Sequence, residues 1–159
     1  MTMKHSSYTV LLFTIGLITG CSGLKTYNSD LENNLKIKTQ TDSGSIFSSM
    51  QAAVDIHKVN PDCSTEYAGT IQLDDSSKVI GIPAGRSSYL VFVFEKSGFF
   101  SAETSTTYNT LIRPRNGYQY IAEVSYQENI YNVIINELDP GNRKSREIET
   151  RGMYACKPV

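Results

Sequence analysis

Residues 118–126, Tyr-Gln-Tyr-Ile-Ala-Glu-Val-Ser-Tyr, alternate in a way that only an extended backbone satisfies. Tyr118, Tyr120, Ala122, Val124 and Tyr126 fall on one side, and Gln119, Glu123 and Ser125 on the other. One face must pack and the other can stay wet. Such a strand needs a neighbour. Gln127-Glu128-Asn129 leads directly into the β-rich run 130–137, which predicts a hairpin with a three-residue loop. Just upstream, Asn116-Gly117 is a turn dipeptide, since both residues tolerate positive φ.

The same grammar extends over the chain. Strands are expected at 35–41, 50–59, 67–73, 78–82, 88–95, 106–112, 118–126, 130–137 and 146–154, separated by turn residues at intervals of about 8–12, the spacing of a sandwich or barrel. Residues 45–59 can be read as a helix through Phe47, Met50 and Val54, or as a strand through Met50, Ala52, Val54 and Ile56. The strand is favoured, and Asn60-Pro61-Asp62 ends either one. The unbroken apolar run 89–94 is expected to be a central strand covered on both sides. The expected fold is an all-β antiparallel sandwich of seven to nine strands, immunoglobulin-like or transthyretin-like, over residues 35–159.

The amino-terminal residues follow a different logic. Lys4 precedes an apolar stretch from Tyr8 to Ile18, followed by the small residues Thr19 and Gly20, the layout of an export signal; Met3 is an alternative start. The run is about 11 residues, whereas a membrane-spanning helix needs about 20. At Leu17-Ile18-Thr19-Gly20-Cys21 the chain resembles the lipobox of bacterial lipoproteins, with an aliphatic residue and small residues ahead of a cysteine. The resemblance covers the leader alone. It implies removal of residues 1–20, acylation of Cys21 by diacylglyceryl and palmitate-type chains, and, with Ser22 rather than Asp following, delivery to the outer membrane, facing the periplasm or the cell surface. The alternative is an ordinary cleaved signal with Cys21 as an incidental thiol. Residues 21–34 are polar and lack an apolar face, so they are expected to form a flexible lipidated tether holding the domain about 20 Å from its lipid.

Charge and residue chemistry narrow the function. Lys4 leaves with the leader, so the 15 Lys and Arg fall to 14 against 16 Asp and Glu. The densest basic cluster, Arg143, Lys144 and Arg146, sits beside Glu147 and Glu149, which argues against a nucleic-acid partner. Cys63 and Cys156 form an even pair suited to a structural disulfide in an oxidising compartment, with buried free thiols the alternative. After the leader the only histidine is His57, and no Gly-x-Ser-x-Gly elbow accompanies it, so it reads as a sheet-surface or internally satisfied residue.

Gly81-Ile-Pro-Ala-Gly85-Arg86-Ser87 is one residue short of a phosphate loop and has Arg in place of Lys, so it reads as a turn. Asp74-Asp75 and Asp139-Pro-Gly-Asn142 lack the ligand spacing of a calcium loop and also fit tight turns. Glu123 and Glu137 fall at solvent-facing or strand-end positions, against a glycosidase pair. No catalytic residue, metal ligand or cofactor is assigned. Ten tyrosines without tryptophan suit sheet packing. Phe99 and Phe100, adjacent rings at a strand end where alternation buries only one, are the candidate partner-binding residues; the alternative is that their loop folds back and both rings cap the open end of the sandwich.

The function expected is that of a non-enzymatic binding or scaffold lipoprotein, bound to the membrane through its lipid and to an envelope protein or glycan, as an accessory of a secretion or other envelope machine. A periplasmic hydrolase, or an inhibitor of one, is the alternative.

Overall fold

The computed structural model describes residues 24–41, 48–74, 77–98, 101–127 and 130–158. Cys21, Phe99 and Phe100 therefore lie outside the described residues. Nine strands appear among those described: β1 (Leu35–Thr41), β2 (Ser48–Val59), β3 (Thr65–Gln72), β4 (Ser77–Ile80), β5 (Ser88–Gly98), β6 (Ser101–Ile112), β7 (Gln119–Gln127), β8 (Ile130–Leu138) and β9 (Ser145–Glu147). They form two sheets, β4-β1-β7-β8-β9 and β3-β2-β5-β6. Every pair is antiparallel except β1 with β7, which run parallel. The first strand of an immunoglobulin sandwich pairs with the second; here it pairs with the fourth and seventh, so the strand order is not the immunoglobulin one.

Alternation builds the core as anticipated. Tyr120, Ala122, Val124 and Tyr126 of β7 are buried, the first three in one core cluster with Ala52, Val54 and Ile56 of β2 and Leu90, Phe92 and Phe94 of β5. Each fully buried Phe contributes about 1.5–3 kcal/mol of apolar transfer. The 45–59 ambiguity resolves to strand over Ser48–Val59.

Four expectations need correction. The run 89–94 is central within its sheet, but only Leu90, Phe92 and Phe94 are buried, while Tyr89, Val91 and Val93 are half-exposed. A two-layer sandwich covers one face of each sheet, so even an interior strand keeps an outer side. The β7–β8 hairpin pairs Gln127 with Ile130, leaving a two-residue rather than a three-residue connection. The ninth strand is three residues long. After Ile148 donates its amide to the Ile135 carbonyl, the chain crosses to the other sheet, where the Leu111 amide donates to the Arg151 carbonyl, and it ends in a 3₁₀ turn at Met153–Ala155.

The fourth correction concerns residues 21–34. From Lys25 onward this segment is bonded to the domain rather than free. Thr26 bridges Thr70 in parallel, the Tyr27 amide donates to the Thr70 carbonyl at 3.0 Å, and the Thr70 amide donates to the Lys25 carbonyl at 2.7 Å. The Tyr27 hydroxyl donates to the Gly81 carbonyl at 2.7 Å, and the Asn34 side chain exchanges two hydrogen bonds with the Ile82 backbone at 2.8 and 2.9 Å. Polarity suggested a tether because it hides this role: the segment pairs with an open sheet edge through its backbone, which any sequence supplies.

Gly69 makes the approach possible. Its φ is +150°, and a Cβ there would sit 2.6 Å from Tyr27 Cα. Gly69→Ala is therefore expected to release the segment, with faster hydrogen exchange at the Tyr27 and Thr70 amides; unchanged protection at both would contradict the docking.

Candidate functional site

The turn 60–64, the connection 81–87, the connection 113–118, the loop 139–144 and the carboxy-terminal tail gather at one end of the sandwich, because β2, β6 and β8 finish there while β5 and β7 begin. All of these except the loop 139–144 contribute to the lining of a cleft of about 1250 Å³. Its walls come from distant parts of the chain: Arg86 after β4, Arg113 and Arg115 after β6, Arg146 on β9, and Arg151 and Lys157 on the tail, with Leu111, Ile112 and Ile148 supplying apolar surface.

Local bonds hold these segments in place. Gly85, at φ +76°, donates its amide to the Pro114 carbonyl at 2.7 Å and accepts the Arg113 Nε at 3.1 Å. The Cys63–Cys156 disulfide, with a Cα separation of 5.9 Å, ties the tail to the β2–β3 turn.

Glu137 forms the node of the cleft. It is 6% exposed, and its carboxylate accepts the Tyr120 hydroxyl at 2.7 Å, Arg115 at 3.1 Å and Arg146 at 2.9 Å. Burial alone would raise its pKa, but the Tyr120 hydrogen bond and the two guanidiniums outweigh burial and hold the carboxyl below the usual range. Burial, reinforced by the neighbouring carboxylate, pushes Tyr120 up to about 12. The Tyr120 hydroxyl also accepts the Arg115 amide at 2.9 Å, and the Arg115 guanidinium lies 3.9 Å over the Tyr118 ring. A carboxylate ionised at neutral pH thus clamps two arginines whose side chains remain 55% and 70% exposed.

Charge is segregated rather than abundant. Among the described residues the cleft is lined by six cations and three acids, Glu137, Glu147 and Glu149, in a chain that has 15 Lys and Arg against 16 Asp and Glu. The linear cluster at 143–149 looked self-neutralised. What it concealed is that Arg146 turns toward Glu137 while Arg86, Arg113 and Arg151 arrive from other segments.

Cys63 and Cys156 are bonded to each other. His57 lies on the outer face of β2 between the rings of Tyr67 and Tyr89, at 5.5 and 6.1 Å. Asp55, on the same face, accepts the Thr70 hydroxyl. Glu123 is exposed and paired with Lys38 of β1 at 3.2 Å; β7 and β8 are neighbours, yet their two glutamates face opposite ways.

Glu137 is expected at a solvent-facing or strand-end position; it lies one residue from the end of β8 but is buried. The available signal was parity, since 133, 135 and 137 share a face, but Ile130 and Ile134 on the other parity masked it. Asp139 to Asn142 form a tight turn closed by the Gly141 and Lys144 amides on side-chain oxygens. Asp74 pairs with Lys78 at 2.9 Å. Among the described residues no group of three His, Cys, Asp or Glu gathers as a metal site. Gly98 pairs with Ser101 at the end of the sheet away from the cleft, so the strand ends flanking Phe99 and Phe100 are remote from it.

No protein-family model, curated protein or solved structure matches the chain.

Proposed function

We propose that this chain is a lipid-anchored binding protein of the bacterial envelope, exported, cleaved before Cys21, held on the outer membrane by acyl chains on that cysteine, and presenting its end cleft to a ligand in the periplasm or at the cell surface. The observation that carries the address is Leu17-Ile18-Thr19-Gly20-Cys21 behind an apolar leader. The Cys63–Cys156 bond supports it, since such bridges persist in oxidising compartments, and it leaves Cys21 as the remaining cysteine of three.

The cleft supports binding rather than hydrolysis. Its buried carboxylate is committed to two guanidiniums and a hydroxyl and stays ionised, which suits a structural clamp better than a proton-transfer group. Docking from Lys25 onward also changes how the anchor acts. Cys21 lies four residues ahead of Lys25, so the lipid would sit within about 14 Å of the β3 edge and would orient the domain as well as retain it. Two or more acyl chains make such an anchor stable.

Metabolic labelling with palmitate tests the address. Label and membrane fractionation are expected for the wild type and absent for Cys21→Ser. Label retained by that variant would refute the anchor.

A further inference from the structure

We infer that the end cleft binds an acidic peptide segment in extended conformation. This deepens the binding role proposed above by naming the partner class for the same site. Arg86, Arg113 and Lys157 line the cleft without a carboxylate partner among the described residues. The Nε of Arg113 is held by the Gly85 carbonyl, which leaves its terminal nitrogens available for a forked contact with a carboxylate. The excess of three cations arises in a chain whose formal net charge is −1, so it reflects where the fold places charge rather than composition. Concentrated in a concave site, that excess selects an anionic ligand.

Size and shape select among anions. Pockets for single small molecules occupy about 300–1,000 Å³. This cleft is larger, and its cations are supplied by separate stretches of the chain, with Arg115 and Arg146 already drawn to Glu137, so one phosphate would leave part of the lining unused. A flat membrane surface reaches convex patches, whereas this site is concave. Leu111 and Ile148, both half-buried in the lining, suit apolar side chains alternating with acidic ones. One wall includes β9, the edge strand of its sheet, whose alternate backbone groups point away from β8 and can pair with an extended segment.

The test uses the full chain purified in mild detergent and a short fluorescent peptide alternating Glu and Val, followed by anisotropy. The acidic peptide is expected to bind, and the matching Lys and Val peptide is not. Affinity should fall about tenfold or more in the double variant R86E/R113E and on raising salt several-fold. Both positions lie outside strands, so the variant is checked by its melting curve; if it fails to fold, R86Q/R113Q replaces it with the same expectation. Four results would overturn the inference: no binding of the acidic peptide, binding equal in the variants, displacement of the peptide by inorganic phosphate at comparable concentration, or capture by phosphatidylglycerol vesicles that the same charge reversals abolish. Palmitate labelling is read independently, so loss of the peptide site would leave the anchor standing and loss of the anchor would leave the peptide site.

Discussion

Replacing Cys63 and Cys156 together with alanine is expected to destabilise the domain by about 4–5 kcal/mol, because the bridge closes a loop with a sequence separation of 93 and removes that much loop-closure entropy from the unfolded chain. At about 3–4 °C of melting temperature per kcal/mol for a domain of this size, the midpoint should fall by about 15 °C. Residual structure in the unfolded chain would reduce the effect without changing its sign.

The loss should also be local. The tail beyond β9 is held by the Leu111 amide on the Arg151 carbonyl, the Arg151 amide on the Thr110 hydroxyl at 3.3 Å, and the disulfide. Without the third tie, amides from Arg151 to Cys156 should exchange early, taking part of the cleft wall with them. A calorimetric midpoint unchanged by the double substitution, with the tail still protected, would show that the bridge has no structural role.

Glu137→Ala is expected to be the next most damaging of the substitutions considered. Breaking a buried ion pair usually costs about 3–5 kcal/mol because a charge is stranded. Here the stranded charges are Arg115 and Arg146, whose side chains are 55% and 70% exposed and can turn to water. What remains is the buried Tyr120 hydroxyl and the lost charge-assisted bonds, for an expected loss of about 2–3 kcal/mol by chemical denaturation.

The pH dependence follows from the direction of the shift. Glu137 titrates below its ordinary value of 4.5 in the folded chain, so its contribution is fully present above that value and disappears as pH falls through the lower, folded one. The gap between wild type and variant should therefore be wide at neutral pH and close on acidification. Tyr120 behaves in the opposite sense: raised to about 12 from 10.0, it supports the fold below pH 10 and loses that support as pH rises toward 12. A gap that did not narrow in acid would show that Glu137 acts through packing alone.

How much of this was legible beforehand depended on whether the cause was local. Residues 35–41 match β1 to the residue, and the buried set in β7 is the one that alternation names. Such patterns are legible because side-chain direction along a strand depends only on backbone period. Strand ends at Asn60-Pro61-Asp62 and at Asn116-Gly117 were equally accessible, since proline and positive φ act within one or two residues. The disulfide followed from the parity of the cysteines and their chemistry. The β9 overestimate has the complementary cause: residues 149–152, Glu-Thr-Arg-Gly, carry no alternation, and the need for Cys156 to reach Cys63 draws the chain out of the sheet.

Tertiary structure alone decided which strands became neighbours, and the candidate site depends on that choice. The parallel pairing of β1 with β7 joins residues about 85 positions apart, as Leu35 with Tyr120, and nothing in either segment names the other. Tyr120 then meets Glu137 across β7 and β8, while the connection after β6 brings Arg115, and the β8–β9 pairing brings Arg146, onto the same carboxylate. Residues 25–34 are polar enough to pass for a tether and dock because β3 leaves an open edge beside Gly69. By itself the sequence determined the extended backbone, its inward faces and its cysteine pairing, because these depend on short-range period and covalent chemistry. The burial of Glu137 and the convergence of six cations on one cleft arose only in the folded chain, because Coulomb interactions and desolvation depend on distance in space, and sequence separation does not encode that distance.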